Sequence, residues 1–490
     1  MKYYAKNRYE EPKEFVYKIE RFSGVDAATD ENALPLGYAS YAYNVRFRGG
    51  AMSHGYGVGY AAVGGRYLPG MIAVGEAIKK VFLYKRFDRT TGIRDDRLIV
   101  QSDNDKLYEA DLTTDTVFHE INVQLGGDKL TFLNCEYNEK DVLWICDDHG
   151  HLIFYDGSTI QTMSDTPYFS DACVYNGRVF ASSGTGANVL RFSAENNPGE
   201  WRETEGAGKV TFPDEGGKIL RVAPFKESLL VFREYGVWRY VGYPRSSAYT
   251  LSRVYATEQP IYGKSVCVCG DKVIFATGNG FYAYDGSTVS GVYKDLFPLA
   301  DGLEECAGCY YDNKYFFALR MKRDTEVVGD EASVTGNNAF FAIGDGFLSI
   351  TRGTDVKEFF PVEVGGETAL LCSFGAGYHP FDIGMVTDDG KIFSVSPKKK
   401  WRSPFSTLDK LSRDKFVRKI YLQASGEMTL TCIANERQDF TLPSGARTHC
   451  VYVGKRADAV GLELTSTADQ FTAYGMEIEF DIRKRGYYER

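Results

Sequence analysis

One short pattern recurs along the chain and limits what it can fold into: a β-branched or aromatic run, a tight Asp/Asn/Gly turn, then a second aromatic-rich run. It is clearest in Leu143-Trp-Ile-Cys-Asp-Asp-His-Gly-His-Leu-Ile-Phe-Tyr155-Asp-Gly-Ser-Thr and in Val273-Ile-Phe-Ala-Thr-Gly-Asn-Gly-Phe-Tyr-Ala-Tyr284-Asp-Gly-Ser-Thr. Looser copies are Leu229-Leu-Val-Phe-Arg-Glu-Tyr-Gly-Val-Trp-Arg-Tyr240 and Met385-Val-Thr-Asp-Asp-Gly-Lys-Ile-Phe-Ser-Val395. Residues that tolerate φ > 0 join two strand-type runs, so each copy reads as a β-hairpin. Further turns fall near Gln101–Asp105, Ser182–Gly186 and Asn337-Asn338. Successive turns lie roughly 35 to 55 residues apart, the period of a repeating four-stranded blade. The spacing predicts an all-β chain with a β-propeller of about six to seven blades.

Composition supports many short strands. Gly 51 against Pro 15, with 34 Tyr and 32 Phe, suits strands joined by tight turns. No long stretch has helical periodicity; Gly75–Lys80 is the nearest and is too short to matter. The N-terminus, Met1-Lys-Tyr-Tyr-Ala-Lys-Asn-Arg-Tyr-Glu, lacks the apolar core of a signal peptide, and no run reaches the roughly 18 apolar residues of a membrane helix. The expected product is soluble, made in the cytoplasm and without a membrane partner.

Three regions are expected. Residues 1–62 read as an extended, Gly-rich arm that orders on assembly, and 63–405 hold the repeats. After the break Ser396-Pro-Lys-Lys-Lys-Trp-Arg-Ser-Pro404, residues 406–490 change to cleaner alternation. Lys419–Ala424, Met428–Ile433, Val460–Thr465 and Tyr474–Ile482 alternate with period two, as strands with one buried and one wet face do. They predict a C-terminal β-sandwich. The propeller ring needs a closing strand, which either the arm or the segment after the last hairpin could supply.

Charge divides unevenly. Residues 398–490 carry a net +5, leaving −14 on residues 1–397. An acidic propeller argues against a general grip on nucleic acid, which needs a basic footprint. It is compatible with a passage for DNA, because an acidic wall repels the backbone and lets it slide. Two basic clusters, Lys398, Lys399, Lys400 and Arg402, then Arg483, Lys484 and Arg485, read as a solvated linker and terminus, or as docking points for an acidic neighbour.

No catalytic, cofactor-binding or metal constellation is expected. There are six histidines, and the densest polar group, Asp147-Asp-His-Gly-His151, sits where other hairpins have Gly278-Asn-Gly280 or Asp388-Asp-Gly390. Turn chemistry accounts for its acids and glycine. Cys306-Ala-Gly-Cys309 is half of a zinc-ribbon spacing whose one candidate partner, Cys267/Cys269, belongs to a neighbouring blade; reduced packing thiols are the simpler reading. Asp156-Gly-Ser-Thr159 and Asp285-Gly-Ser-Thr288 lack the alternate spacing of a sialidase Asp-box and read as blade turns. Trp201, Trp238 and Trp401 could stack sugars or bases, but packing between blades is the more economical role.

The opening Phe22-Ser-Gly-Val-Asp-Ala-Ala-Thr-Asp-Glu-Asn-Ala-Leu-Pro-Leu-Gly-Tyr-Ala-Ser-Tyr-Ala-Tyr-Asn-Val-Arg-Phe-Arg-Gly-Gly50 resembles that of tailed-bacteriophage virion proteins known as packaged-DNA stabilization or tail nozzle proteins. The similarity continues in Tyr175–Gly184, in Asn188–Trp201, in Leu229–Gly242 and in the closing Met476-Glu-Ile-Glu-Phe-Asp-Ile-Arg-Lys-Arg-Gly486. The resemblance implies a non-enzymatic structural subunit of the virion at the head–tail junction or tail. It also implies self-association in a ring, a hexamer, that contacts adjacent head–tail or tail proteins and retains packaged DNA passing through without sequence recognition. The competing expectation is a carbohydrate-binding or carbohydrate-acting propeller, as in tail-tip receptor binding or glycan hydrolysis.

Overall fold

The computed structural model describes residues 14–483 apart from 71–75, 89–91, 128, 148, 150–151, 164–165, 184–187, 243–248, 324–333, 335, 376–381, 410–413 and 446. Two compact units divide the chain. One comprises residues 58–344 and 353–386; the other comprises residues 1–57, 345–352 and 387–490.

The first unit is a β-propeller. Five four-stranded antiparallel sheets follow one another, with inner strands Ile78–Tyr84, Thr131–Tyr137, Phe169–Tyr175, Ile219–Phe225 and Ile261–Cys269. A sixth blade starts at Ala300–Tyr311 and keeps Lys314–Met321 and Ala339–Gly344 in this unit. The seventh starts at Val356–Val364. Each inner strand packs on the next, and the seventh returns to the first, so the ring is closed at seven blades.

Burial follows from that arrangement, since a blade covers its faces only by packing on its neighbours. Val81, Leu98 and Val100 of the first blade meet Val362, Leu371 and Ile383 of the seventh. Comparable apolar layers join blades one and two around Ile99 and Leu143, and blades four and five around Phe232 and Phe275. Aromatic pairs continue the ring: Phe281 lies edge-on to Phe317 at 5.0 Å, and Phe316 is 5.9 Å from Phe359.

The repeated hairpins form as their turn residues dictate. Leu143 pairs with Tyr155, Val273 with Tyr284 and Leu229 with Tyr240. In the two Asp-Gly-Ser-Thr turns the carboxylate accepts the following amides: Asp156 from Ser158 (3.1 Å) and Thr159 (2.8 Å), Asp285 from Ser287 (2.7 Å) and Thr288 (2.8 Å). The tyrosine before each turn meets the preceding blade, Tyr155 against Tyr84 at 6.2 Å and Tyr284 against Phe225 at 6.0 Å. The motif therefore serves both the turn and the blade interface.

The fourth hairpin differs. Ile383–Thr387 is a strand, but the limb expected to return beside it folds into a turn closed by Ile392 and Val395. The fourth strand of blade seven is instead Gly57–Tyr60. Of the two expected sources of the closing strand, the N-terminal segment supplies it.

The second unit revises the expected boundaries at 62 and 405. Its larger set of strands runs in the order Phe347–Arg352, Val45–Arg48, Ala51–His54, Thr472–Arg483, Asp414–Ser425, Arg447–Ala457, with Glu14–Ile19 also paired to Thr472–Arg483. A five-stranded sheet has the order Tyr41–Tyr43, Lys399–Arg402, Gly461–Ser466, Met428–Ile433, Arg437–Leu442. The four alternating segments read from sequence are all strands. Residues 406–490 do not complete these sheets alone, and Glu14–Ile19, Tyr41–Tyr43, Val45–Arg48 and Ala51–His54 are paired strands rather than parts of an extended arm. Backbone groups on both flanks of the C-terminal strands require those partners.

Ring closure depends on close backbone approach at Gly384, where an added Cβ would lie 2.8 Å from the Gly59 carbonyl oxygen and 2.7 Å from the Phe374 ring. Gly384→Val is expected to lift the closing strand and cost about 1–3 kcal/mol, the usual penalty of overpacking, read as a lower urea midpoint with unchanged native far-UV circular dichroism.

Candidate functional site

The polar feature shared by most blades lies at the start of the inner strands. Ile78–Tyr84, Phe169–Tyr175, Ile219–Phe225 and Val356–Val364 each carry a charged residue at the third position, Lys80, Asp171, Arg221 and Glu358; Ile261–Cys269 carries Lys264 at the fourth. In all five strands the pairing register shifts at or next to that residue. A bulge breaks alternation and re-aims a side chain. Lys80 feels the charges of Glu358, Asp171, Arg221 and Lys264, which come from four other blades. Only the ring axis is common to those blades, so the five side chains line it.

This axial lining is largely compensated. The Arg221 guanidinium lies 3.2 Å from the Asp171 carboxylate, whose second oxygen accepts the Val222 amide at 2.7 Å. Lys264 is 3.9 Å from Glu305. Lys80 donates to the Leu130 carbonyl at 2.8 Å and sits 5.5 Å from the centre of the Phe132 ring. Burial pushes the Asp171 carboxyl up, against the pull of Arg221 and the Val222 amide. Burial likewise pulls the Lys80 ammonium down, against Glu358 and Asp171. These contacts tie neighbouring inner strands together.

The cysteines Cys267 and Cys269 of blade five and Cys306 and Cys309 of blade six lie on adjacent inner strands, and all ten cysteines of the chain are free thiols. Burial raises the Cys306 thiol to about 12. Cys267 is instead lowered, first by a hydrogen bond from Cys269 and further by Arg221. Among the described residues no group of three or more His, Cys, Asp or Glu side chains is placed to hold a metal ion. In the histidine-rich turn, Asp147 is fully buried and accepts the amides of Gly126 (2.7 Å) and His149 (3.0 Å); Asp148, Gly150 and His151 lie outside the described residues.

The tryptophans pack. Trp401 is buried edge-on to Phe22 at 5.2 Å, Trp238 lies 5.7 Å from Phe212, and Trp201 lies 4.3 Å from Phe169 while donating to the Pro198 carbonyl.

The first basic cluster is not a solvated docking patch. Lys399, Lys400, Trp401 and Arg402 form a strand between Tyr41–Tyr43 and Gly461–Ser466. Lys399 is 1% exposed and donates to Ser396 Oγ (2.7 Å) and the Pro397 carbonyl (3.1 Å). Lys400 is also buried, 3.8 Å from the buried Glu463. Arg402 is half-buried over the Tyr41 ring, and Lys398 is half-buried with its carbonyl accepting from Asn44 at 2.8 Å. Their long aliphatic stems let these side chains occupy positions that composition assigns to solvent. Arg483 ends the strand Thr472–Arg483, opposite Asp414; Lys484 and Arg485 lie outside the described residues.

Sequence reading passed over the axial set, although its signal is legible afterwards: a charge at the third or fourth position of an otherwise largely apolar inner strand. A single charge of this kind reads as ordinary polar alternation until the repeats are aligned by blade.

No family model matches the chain, and no curated protein matches it significantly in sequence. Solved structures with a similar fold include BBS1N in complex with ARL6DN, soaked with mercury (TM-score 0.43, 12% identity, covering 66% of this chain and 98% of that one). They also include BamB from Moraxella catarrhalis (0.41, 9%, 70% and 97%) and YCF48 bound to D1 peptide (0.39, 10%, 67% and 97%). The seven-bladed assignment comes from strand pairing and ring closure. Among the described residues no helix is long and apolar enough to cross a membrane.

Two outcomes are expected. Asp171→Asn leaves Arg221 without its counter-charge and costs about 1–2 kcal/mol, a range held low because half of the arginine side chain meets solvent. Adding Arg221→Met recovers part of that loss in a urea double-mutant cycle. Burial lowers the Lys399 ammonium to about 8, below its ordinary 10.5, so the folded state binds fewer protons than the unfolded state between those values. Wild-type stability should therefore gain from this lysine as pH rises from 8 to 10.5, with the penalty fully present below 8. Lys399→Met should remove that gain and raise the melting temperature at pH 7.

Proposed function

We propose that this protein is a non-catalytic structural subunit of a tailed-bacteriophage virion, a ring-forming head–tail connector or tail nozzle component that retains packaged DNA and passes it at injection. The observation that carries this reading is how the resembling segments are used. The opening segment Phe22–Gly50 holds the strands Tyr41–Tyr43 and Val45–Arg48, and the latter forms a hairpin with Ala51–His54. That hairpin pairs with Thr472–Arg483, which contains most of the closing segment. The two ends of the chain that carry the resemblance thus belong to one sheet, in a protein whose other unit is a closed propeller. Folded β-units of this kind give a ring rigid surfaces around a fixed bore.

Electrostatics fits DNA passage rather than capture. The chain is acidic at net −9. The cations on the propeller axis are engaged by Asp171, Glu305 and the Leu130 carbonyl. An acidic chain whose axial cations already have partners repels a polyanion and lets it move.

Sequencing the DNA that flanks the gene tests this reading directly. Portal, capsid and tail genes on either side are expected. A secretion or polysaccharide-degradation cluster would overturn the virion role and favour a carbohydrate-directed propeller.

A further inference from the structure

Four strands of the second unit form an antiparallel stretch in the order Glu14–Ile19, Thr472–Arg483, Asp414–Ser425, Arg447–Ala457. Among the described residues no strand pairs with the outer side of Arg447–Ala457 or with the outer side of Glu14–Ile19. An open edge is a template for another chain unless it is short, interrupted by proline, or twisted away. Arg447–Ala457 is eleven residues long and has no proline. Its one irregularity is a bulge at Gly454 (φ +64), and Arg447–Tyr452 pair regularly before it.

The outward face of this stretch is unusually apolar at its two margins. Val16, Glu479, Lys419 and Tyr452 form one row across the four strands. Its centre is charged and paired, with Lys419 3.5 Å from Glu479, whereas its ends are Val16, 50% exposed, and Tyr452, 70% exposed. Lys419 also lies 5.4 Å from the centre of the Tyr452 ring. Within one copy Val16 and Tyr452 stand at opposite edges of the sheet and do not meet, whereas strand addition between copies brings them together.

Strand direction and charge select how the copies meet. Directions alternate across the four strands, so a second copy's Glu14–Ile19 placed outside Arg447–Ala457 continues the antiparallel order. In that arrangement the exposed Glu20 approaches the end carrying Arg447, and Glu14 approaches the end carrying Arg456. Arg447–Ala457 contains no acid; Lys455 is already held by Glu436 at 2.5 Å, while Arg447 and Arg456 are exposed. Glu14 is shared with Arg418 of its own copy at 2.9 Å. Two-fold pairing of Arg447–Ala457 with itself would instead set Arg456 beside the partner's Arg447, and facing like charges are unfavourable.

We propose that copies of this chain join head to tail by strand addition, Arg447–Ala457 of one copy receiving Glu14–Ile19 of the next. A heterologous contact of this kind closes into a ring when its rotation allows. The interface rests on the ring reading above and names the surface that would build it.

The test uses the full chain at micromolar concentration, with sedimentation velocity for mass and circular dichroism melts for folding. One variant carries Arg447→Glu and Arg456→Glu; a second carries Glu14→Arg and Glu20→Arg. Wild type is expected to sediment as a closed oligomer. Each variant alone is expected to fall to a monomer that still melts cooperatively, and their equimolar mixture, in which both edges are again complementary, to regain an oligomer. Tyr452→Lys, which leaves every arginine in place, is expected to give the same loss. Variants that keep the wild-type mass would overturn this interface while leaving the ring reading intact, as would a mixture that stays monomeric. A wild-type chain that is monomeric throughout would overturn the ring reading itself.

Discussion

The closed ring of inner strands is the constraint on which the propeller depends. A single blade has two apolar faces and no way to cover either, so the blades are stable only as a circle in which every face has a neighbour. Closure requires that the seventh blade be completed from residues 57–60, far from the rest of it in sequence. The apolar layer of Val81, Leu98, Val362 and Leu371 forms where the first and seventh blades meet.

The same chain segment leads on to a second task. Residues 14–54 contribute strands to sheets whose other members come from 347–352 and 399–483, so the beginning and end of the chain are bonded to each other. The propeller sequence is thus inserted into a unit assembled from residues 1–57, 345–352 and 387–490. That arrangement explains why the opening region looks extended and Gly-rich when read alone. Its strands are short, and apart from the hairpin of Val45–Arg48 with Ala51–His54 their partners lie more than 300 residues away, so little local periodicity marks them.

The polar groups follow a related logic. Charges at the start of inner strands lie beside bulges, and three of them meet a partner from a neighbouring blade: Arg221 and Asp171 meet each other, and Lys264 meets Glu305. Lys399 and Lys400 are tolerated in a buried strand because Ser396, the Pro397 carbonyl and Glu463 take up their ammonium groups. In both cases a charged residue serves the fold.

The sequence alone determined what is local. The hairpins at Leu143–Tyr155 and Val273–Tyr284, their Asp-Gly-Ser-Thr turns, the all-β class and the repeat period follow from turn chemistry and strand propensity over a dozen residues. The alternating strands near the C-terminus were legible for the same reason. Tertiary structure decided what depends on distant partners: seven blades rather than six, the closing role of Gly57–Tyr60, the burial of Lys399 and Lys400, and the gathering of Lys80, Asp171, Arg221, Lys264 and Glu358 at one axis. Residue patterns encode which face of a strand is apolar, but which strand covers that face is a property of the closed ring and of paired chain ends.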